Sequence, residues 1–253
     1  MRAHPGAADS ASNSSPGRMT GFASVVFDCD STLVAVEGID ELSGPFRDQI
    51  QALTEAAMDG SVPLEEVYGG RMDLIRPSRA RVDEVGREYI RTLVPHARET
   101  VAALRWLGKT VRIVSGGLLP AVEAVARELG LGAEDVAAVG ISFGAEGAYQ
   151  AFDRESPLAR SHGKAQVIRA WNLPRPVLLV GDGATDREAR PAVEAFAAYM
   201  GVADRPAVAD GADFVLRQPS LAPVLAIACS REELARLAQS PWAELVRTAT
   251  DPE

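Results

Sequence analysis

Three short runs rich in aliphatic residues, 23–27, 110–114 and 176–180, each stop at a cluster of acids, glycines or hydroxyls. Each is too short for an ordinary helix, and 176–180 has the unbroken apolar character of a strand covered on both faces. Segments of helical period lie beside them at 97–107, 118–129, 163–171 and 184–190. Strands alternating with helices specify an α/β fold built on a doubly wound parallel sheet. Short strands are expected at 195–200 and 214–216. An extended stretch is expected at 135–143, returning as a hairpin at 148–152 across a 144–147 turn, with helices at 221–228 and 230–247.

One segment breaks the alternation. Residues 39–93 read as almost wholly helical: 39–58, interrupted at Gly44 and Pro45, then 64–74, then 79–93 capped by Ser78. This block, 39–93, is expected to be an inserted helical cap on a core made of 21–38 and 94–228, followed by a C-terminal helix at 229–253. Residues 1–20, rich in Ala, Ser, Gly and Pro and without the apolar centre of a signal peptide, read as a disordered leader.

Bulk properties remove several function classes. A net charge of −9 opposes a nucleic-acid partner or an anionic membrane surface. No stretch approaches the ~18 apolar residues of a membrane span. Two cysteines, Cys29 and Cys229, fit a cytoplasmic protein better than a disulfide framework.

Asp28 and Asp30 leave the first strand together, because residues two apart share one side of a strand. Two carboxylates at one buried strand end repel each other and are costly without a cation between them. Three further clusters take equivalent places: Ser115-Gly116-Gly117 after the second run, Gly163-Lys164 at a helix start, and residues 181–186 after the third run. Each alone reads as an ordinary turn, cap or solvated lysine. In this order they offer what a phosphoryl group requires. Ser115 and the amides of Gly116 and Gly117, expected at a helix N-terminus, can donate to phosphate oxygens, and Lys164 adds a point charge. Asp28, Asp182 and the main-chain carbonyl of Asp30 form an oxygen-rich set suited to Mg²⁺. Asp28 is the candidate nucleophile, forming an aspartyl-phosphate, and Asp30 the candidate acid and base.

These motifs resemble those of haloacid dehalogenase superfamily phosphatases. Residues 28–33 match the first motif, 114–117 the second, Lys164 the third and 181–186 the fourth. A helical block between the first two resembles the subclass with an α-helical cap. Within the superfamily the chain is most similar to phosphoserine phosphatases, through Glu37, through Met58 in Ala-Met-Asp-Gly, through Arg71, and through residues 74–78 and 147–153. The resemblance implies a Mg²⁺-dependent phosphatase of a small phosphorylated metabolite, phosphoserine first. It implies that Glu37 faces the substrate amine and Arg71 its carboxylate, that Met58 and Thr185 contact substrate, and that Asp186 supports the site from behind. Asp59, Leu64, Gly69, Gly70 and Leu158 depart from the family pattern, and Gly70 is a candidate close-packing position.

One Glu and one Arg, each unpaired until substrate arrives, would reject analogues lacking either charge. The alternatives are another small phosphomonoester (an amino-alcohol or sugar phosphate), phosphotransfer to an alcohol, and a phospho-accepting signalling module. Receiver modules lack an acid two residues after the phosphorylated Asp and carry no inserted helical block. His162 is expected in solvent, His96 as a helix cap, and Trp106, Trp171 and Trp242 as packing residues.

Overall fold

The structure, a computed structural model, describes residues 20–58 and 64–251, with backbone alone at 55–58 and 64. Among the described residues there are eight strands: β1 (Ser24–Phe27), β2 (Thr110–Leu118), β3 (Val136–Val139), β4 (Ile141–Phe143), β5 (Tyr149–Phe152), β6 (Val177–Gly181), β7 (Ala195–Tyr199) and β8 (Phe214–Leu216). Six form one sheet in the order β3-β2-β1-β6-β7-β8, every pair parallel. β4 and β5 make a separate antiparallel hairpin. β1, β6 and β7 are buried along their whole length, which is why their sequences are apolar without alternation.

Helices cover the sheet. In chain order they are α1 (Gly38–Leu42), α2 (Arg47–Met58), α3 (Leu64–Ile75), α4 (Arg79–Arg91), α5 (Ala97–Trp106), α6 (Leu119–Glu128), α7 (Gly163–Ala170), α8 (Ala184–Ala189), α9 (Pro206–Ala209), α10 (Val224–Ala228), α11 (Arg231–Ala238) and α12 (Ala243–Thr250). Among the described residues, no helix is long and apolar enough to cross a membrane. Phe27, Ile113, Leu178 and Phe196 are wholly buried in one continuous core. Truncating such an aromatic costs about 3–5 kcal/mol.

The sheet places the chemistry. The chain changes direction at β1, which has β2 on one side and β6 on the other. Ligands in such sheets bind beyond the carboxyl ends at that switch point. Phe27 is in register with Ile113 and Val180. Asp28, Ser115 and Asp182 therefore lie within a residue or so of one level.

α1 to α4 are inserted between β1 and β2. The two crossings between insertion and core are zipped together: the Ala35 amide donates to the Thr92 carbonyl at 2.8 Å and the Val94 amide to the Leu33 carbonyl at 2.9 Å. α3 also reaches the core, through Arg154–Asp73 at 3.0 Å and through Ser161, whose amide and hydroxyl donate to Glu65 at 3.1 and 3.0 Å. Both contacts are exposed and contribute little each. Ser78 caps α4 by accepting from the Arg81 amide, as its sequence position suggests.

Several expectations are corrected. Ser115, Gly116 and Gly117 remain in β2, and α6 starts only at Leu119, so these residues are extended and not a helix N-terminus. The expected strand at 135–143 splits into β3 and β4 at Gly140. The C-terminal stretch is two helices, α11 and α12, with Pro241 between them, since proline cannot continue a helix. His96 stands at the N-cap of α5 as expected, but its side chain makes no capping bond; its Nδ1 lies 2.9 Å from Ser220 Oγ. Trp106 is 49% exposed, with the Arg236 guanidinium over its ring. Gly70 has nothing within 4 Å of its missing Cβ, so it makes no close approach. Residues 1–19 of the expected leader, and Asp59, lie outside the described residues. So does the side chain of Leu64.

Lys109 ties the two ends of the core together. Its buried ammonium donates to the Phe22 carbonyl and to Glu233, each at 2.7 Å, while Glu233 also accepts from the Ser230 amide in the cap of α11. Removing one partner of a buried pair costs more than the pair contributes, because the other charge loses its compensation. Lys109→Met is expected to lower unfolding free energy by about 2–3 kcal/mol in urea titrations, without changing turnover per folded molecule.

Candidate active site

The first carboxylate, Asp28, follows β1 and is 7% exposed. Its Oδ1 accepts from the Cys29 amide at 2.8 Å and from Lys164 Nζ at 2.8 Å. Both contacts fall on Oδ1, which leaves Oδ2 without a donor among the described residues. Lys164, on the first turn of α7, also donates to Asp186 Oδ1 at 2.7 Å. Burial by itself would lower the lysine's pKa, but Asp186 and Asp28 outweigh it and hold the ammonium above its ordinary range. Asp186 is wholly buried and takes the Gly183 amide on Oδ2 at 3.1 Å. Burial, then Asp28, pushes its carboxyl up to about 7, against the pull of Lys164.

The second acid of the pair, Asp30, also lines the pocket. Burial and then Glu37 raise its carboxyl well above the usual range, while a hydrogen bond from Tyr89 opposes them. The Tyr89 hydroxyl donates to Asp30 Oδ1. Between Asp30 and Glu37 the chain doubles back: the Thr32, Leu33 and Val34 amides all reach the Cys29 carbonyl, and Ser31 takes a φ of 51°. That left-handed conformation is uncommon outside glycine and asparagine. It brings the Ser31 hydroxyl to Glu37 at 2.6 Å.

Glu37 and Arg71 are expected to be unpaired until substrate arrives, and the structure contradicts this for Glu37. Glu37 accepts from Ser31 and from Arg205 Nη2 at 3.2 Å. A buried carboxylate without a donor is too costly to persist, and Arg205 answers it. Arg71 is 5% exposed and has no carboxylate within salt-bridge distance among the described residues. Its Nη1 donates to the Thr54 hydroxyl at 3.1 Å, its Nε has no partner, and its guanidinium lies 5.6 Å from the Tyr68 ring centroid. Burial draws its pKa down, with Tyr68 and nearby Asp40 opposing.

The candidate phosphate donors divide. Ser115 and Gly116 line the pocket, as do Thr185 and Gly183. Gly117 does not; its amide donates to Ser115 Oγ at 2.9 Å. Leu158 is buried, and its carbonyl passes over Gly116, so this departure from the family pattern is a packing position. Met58 ends α2, but its side chain lies outside the described residues. His162 is exposed, 3.5 Å from Glu188, and is not among the residues lining the pocket.

Arg205, Tyr89, Thr54 and Asp40 belong to this site and were not singled out from sequence. Arg205 follows β7, at the same carboxyl edge as Asp28 and Asp182, which is the one positional hint it carries. It binds Asp182 Oδ2 as well as Glu37, while Thr32 Oγ1 donates to Asp182 Oδ1 at 3.1 Å.

The donor set fits a hard divalent cation. Carboxylate oxygens of Asp28, Asp182 and Asp186 all lie within 4.8 Å of one another. In and behind the pocket, the acids Asp28, Asp30, Glu37, Asp40, Asp182 and Asp186 outnumber the cations Lys164, Arg71 and Arg205 by three. Such a deficit favours Mg²⁺, which takes oxygen ligands and few carboxylates. With Mg²⁺ at about a hundred times its dissociation constant, stabilisation of about 2.7 kcal/mol is expected. The rise in melting temperature should be largely lost in Asp182→Asn; an undiminished rise would remove Asp182 from the metal site.

Comparison with known proteins agrees with this geometry. The profile of the haloacid dehalogenase-like hydrolases matches residues 25–189. The phosphoserine phosphatase of Homo sapiens is 37% identical over 197 residues, covering 76% of this chain and 88% of the human one. The chloroplastic phosphoserine phosphatase of Arabidopsis thaliana is 40% identical over 200 residues, covering 76% and 68%. Among solved structures, a substrate-bound phosphoserine phosphatase superposes with a TM-score of 0.69 at 24% identity, covering 80% of this chain and 96% of the other. A phosphoserine phosphohydrolase-like protein from Francisella tularensis gives 0.69 at 24% identity, covering 85% and 98%. Those two likenesses show the fold. On the profile match and the curated relatives, this chain belongs to the haloacid dehalogenase-like hydrolases and is a phosphatase relative within them.

Proposed function

We propose that this protein is a cytoplasmic, Mg²⁺-dependent phosphoserine phosphatase that works through an aspartyl-phosphate on Asp28. The observation that carries the substrate is Arg71, a buried guanidinium with no anionic partner among the described residues, facing the same pocket as the carboxylate Glu37. A free amino acid brings one carboxylate and one ammonium, the charges that answer these two groups. The human and Arabidopsis relatives support the same reading by their names. The helices of 39–93 act in it as the cap that selects the leaving group.

Asp28 Oδ2, the oxygen without a donor, attacks phosphorus as the seryl oxygen departs. Lys164, Ser115 and the Gly116 amide hold the phosphoryl oxygens, with Thr185 at the pocket wall. Asp30 protonates the departing oxygen and later takes a proton from the attacking water. Asp186 keeps Lys164 aimed at Asp28. When bound, Mg²⁺, held by Asp28, Asp182 and the main-chain carbonyl of Asp30, neutralises the charge that carboxylates and phosphate would otherwise concentrate. Glu37 receives the ammonium and releases or shares Arg205. Met58 is assigned to the substrate wall on the family resemblance.

Phosphate release from phosphoserine, phosphoethanolamine and a sugar phosphate, with and without Mg²⁺, tests the reading. Phosphoserine should lead in kcat/KM and need the metal; no turnover of any phosphomonoester would end it. Asp28→Asn should lose at least about a thousandfold in kcat, as nucleophile removal does elsewhere. Arg71→Ala should raise KM for phosphoserine about tenfold or more while changing phosphoethanolamine little. Equal effects on both substrates would contradict the carboxylate assignment.

A further inference from the structure

Tyr89 has no part in the chemistry above, yet its hydroxyl ends on the proton-carrying carboxyl. It comes from α4, in the insertion, and is 1% exposed. The hydroxyl donates to Asp30 Oδ1. Gly38, at the start of α1, gives it room, since a Cβ at that position would run into the Tyr89 hydroxyl. The other oxygen, Asp30 Oδ2, faces Gly117, whose missing Cβ would lie 3.4 Å from it. Gly117 adjoins Gly116 and Ser115, the residues on the phosphate side. The two oxygens of Asp30 therefore meet different surroundings: one is held by the insertion, the other faces the phosphate donors.

We propose that Tyr89 is a positioning residue for proton transfer: by holding Asp30 Oδ1, it places the mobile proton on Oδ2. This rests on the reading of Asp30 as acid and base. As the bond from Asp28 to phosphorus forms, the bond from phosphorus to the leaving oxygen breaks. That oxygen keeps the electron pair and takes the Oδ2 proton, so it departs as a neutral alcohol. Asp30 is left as a carboxylate, stabilised by the Tyr89 hydroxyl on Oδ1. In the second step water attacks phosphorus, its proton returns to Oδ2, and the bond to Asp28 breaks. A tyrosine that served packing alone would need only some partner for a buried hydroxyl. One that orients the acid must matter most when the leaving group is poor.

The test uses substituted phenyl phosphates of graded leaving-group pKa, which carry neither ammonium nor carboxylate and so bypass Glu37 and Arg71. The slope of log kcat/KM against leaving-group pKa reports how far the acid assists departure, and it does not depend on the fraction of enzyme folded. Tyr89→Phe keeps the buried ring and removes the hydroxyl. It should steepen the slope, losing about tenfold on the poorest leaving group and less than about twofold on the best. In an Asp30→Asn background the same change should do nothing further. A uniform loss across the series, or an unchanged slope, overturns the proposal. If Asp30→Asn itself keeps the wild-type slope, the acid assignment fails and the inference falls with it. Should Tyr89→Phe not fold, Gly38→Ala, which forces the hydroxyl off Asp30, should give the same steepening; an unchanged slope there also overturns it.

Discussion

The Lys164 ammonium lies between Asp28 at 2.8 Å and Asp186 at 2.7 Å, and the rest of the site is arranged around that triplet. All three groups are nearly or wholly buried at the carboxyl ends of β1 and β6. Without the lysine, two carboxylates would share a low-dielectric pocket, an arrangement that costs several kcal/mol per charge. With it, Asp28 is held on one oxygen and left open on the other. Asp186 is spent on holding the lysine and the Gly183 amide, which explains why an acid in the fourth motif need not touch substrate.

The same excess of negative charge recurs one layer out. Arg205 spans Asp182 and Glu37, and Tyr89 reaches Asp30, so every acid of the pocket has found a donor in the absence of substrate. Arg71 is the exception among the charged groups: among the described residues this buried cation meets a threonine hydroxyl and the Tyr68 ring and no carboxylate. That imbalance separates two tasks. In the proposed function, the strand ends carry the bond-breaking chemistry, and the insertion offers Arg71 to an anionic group on the leaving molecule. The paired crossings at 33–35 and 92–94 join the two parts, and Tyr89 brings the insertion into direct contact with the acid.

Much of this was legible in the chain. The parallel sheet follows from three short aliphatic runs, each stopping at a polar cluster. The positions of Asp28, Asp30, Ser115 and Asp182 follow from where those runs stop, and that of Lys164 from the start of a helix. The helical block at 39–93 was readable from its period. What was not legible depends on contacts across long sequence distances. Arg205 meets Glu37 from 168 residues away, and no local pattern marks it. Tyr89 looks like a core aromatic of an amphipathic helix, which it also is. Ser115-Gly116-Gly117 resembles a turn, but it stays extended as the irregular stretch of β2 between Val114 and Leu118, both of which pair with β3. The stretch 230–247 reads as one helix, but Pro241 divides it into two.

The central claim is that Asp28, open at Oδ2 and held at Oδ1, takes the phosphoryl group. Acid quenching during turnover of phosphoserine, followed by borohydride reduction and peptide mass spectrometry, reads this directly. Reduction converts an acyl phosphate at position 28 to homoserine. Homoserine at that position, appearing only with substrate and absent at Asp30 and Asp182, is the result expected. Turnover with no modified residue, or with the modification at another acid, would contradict the account.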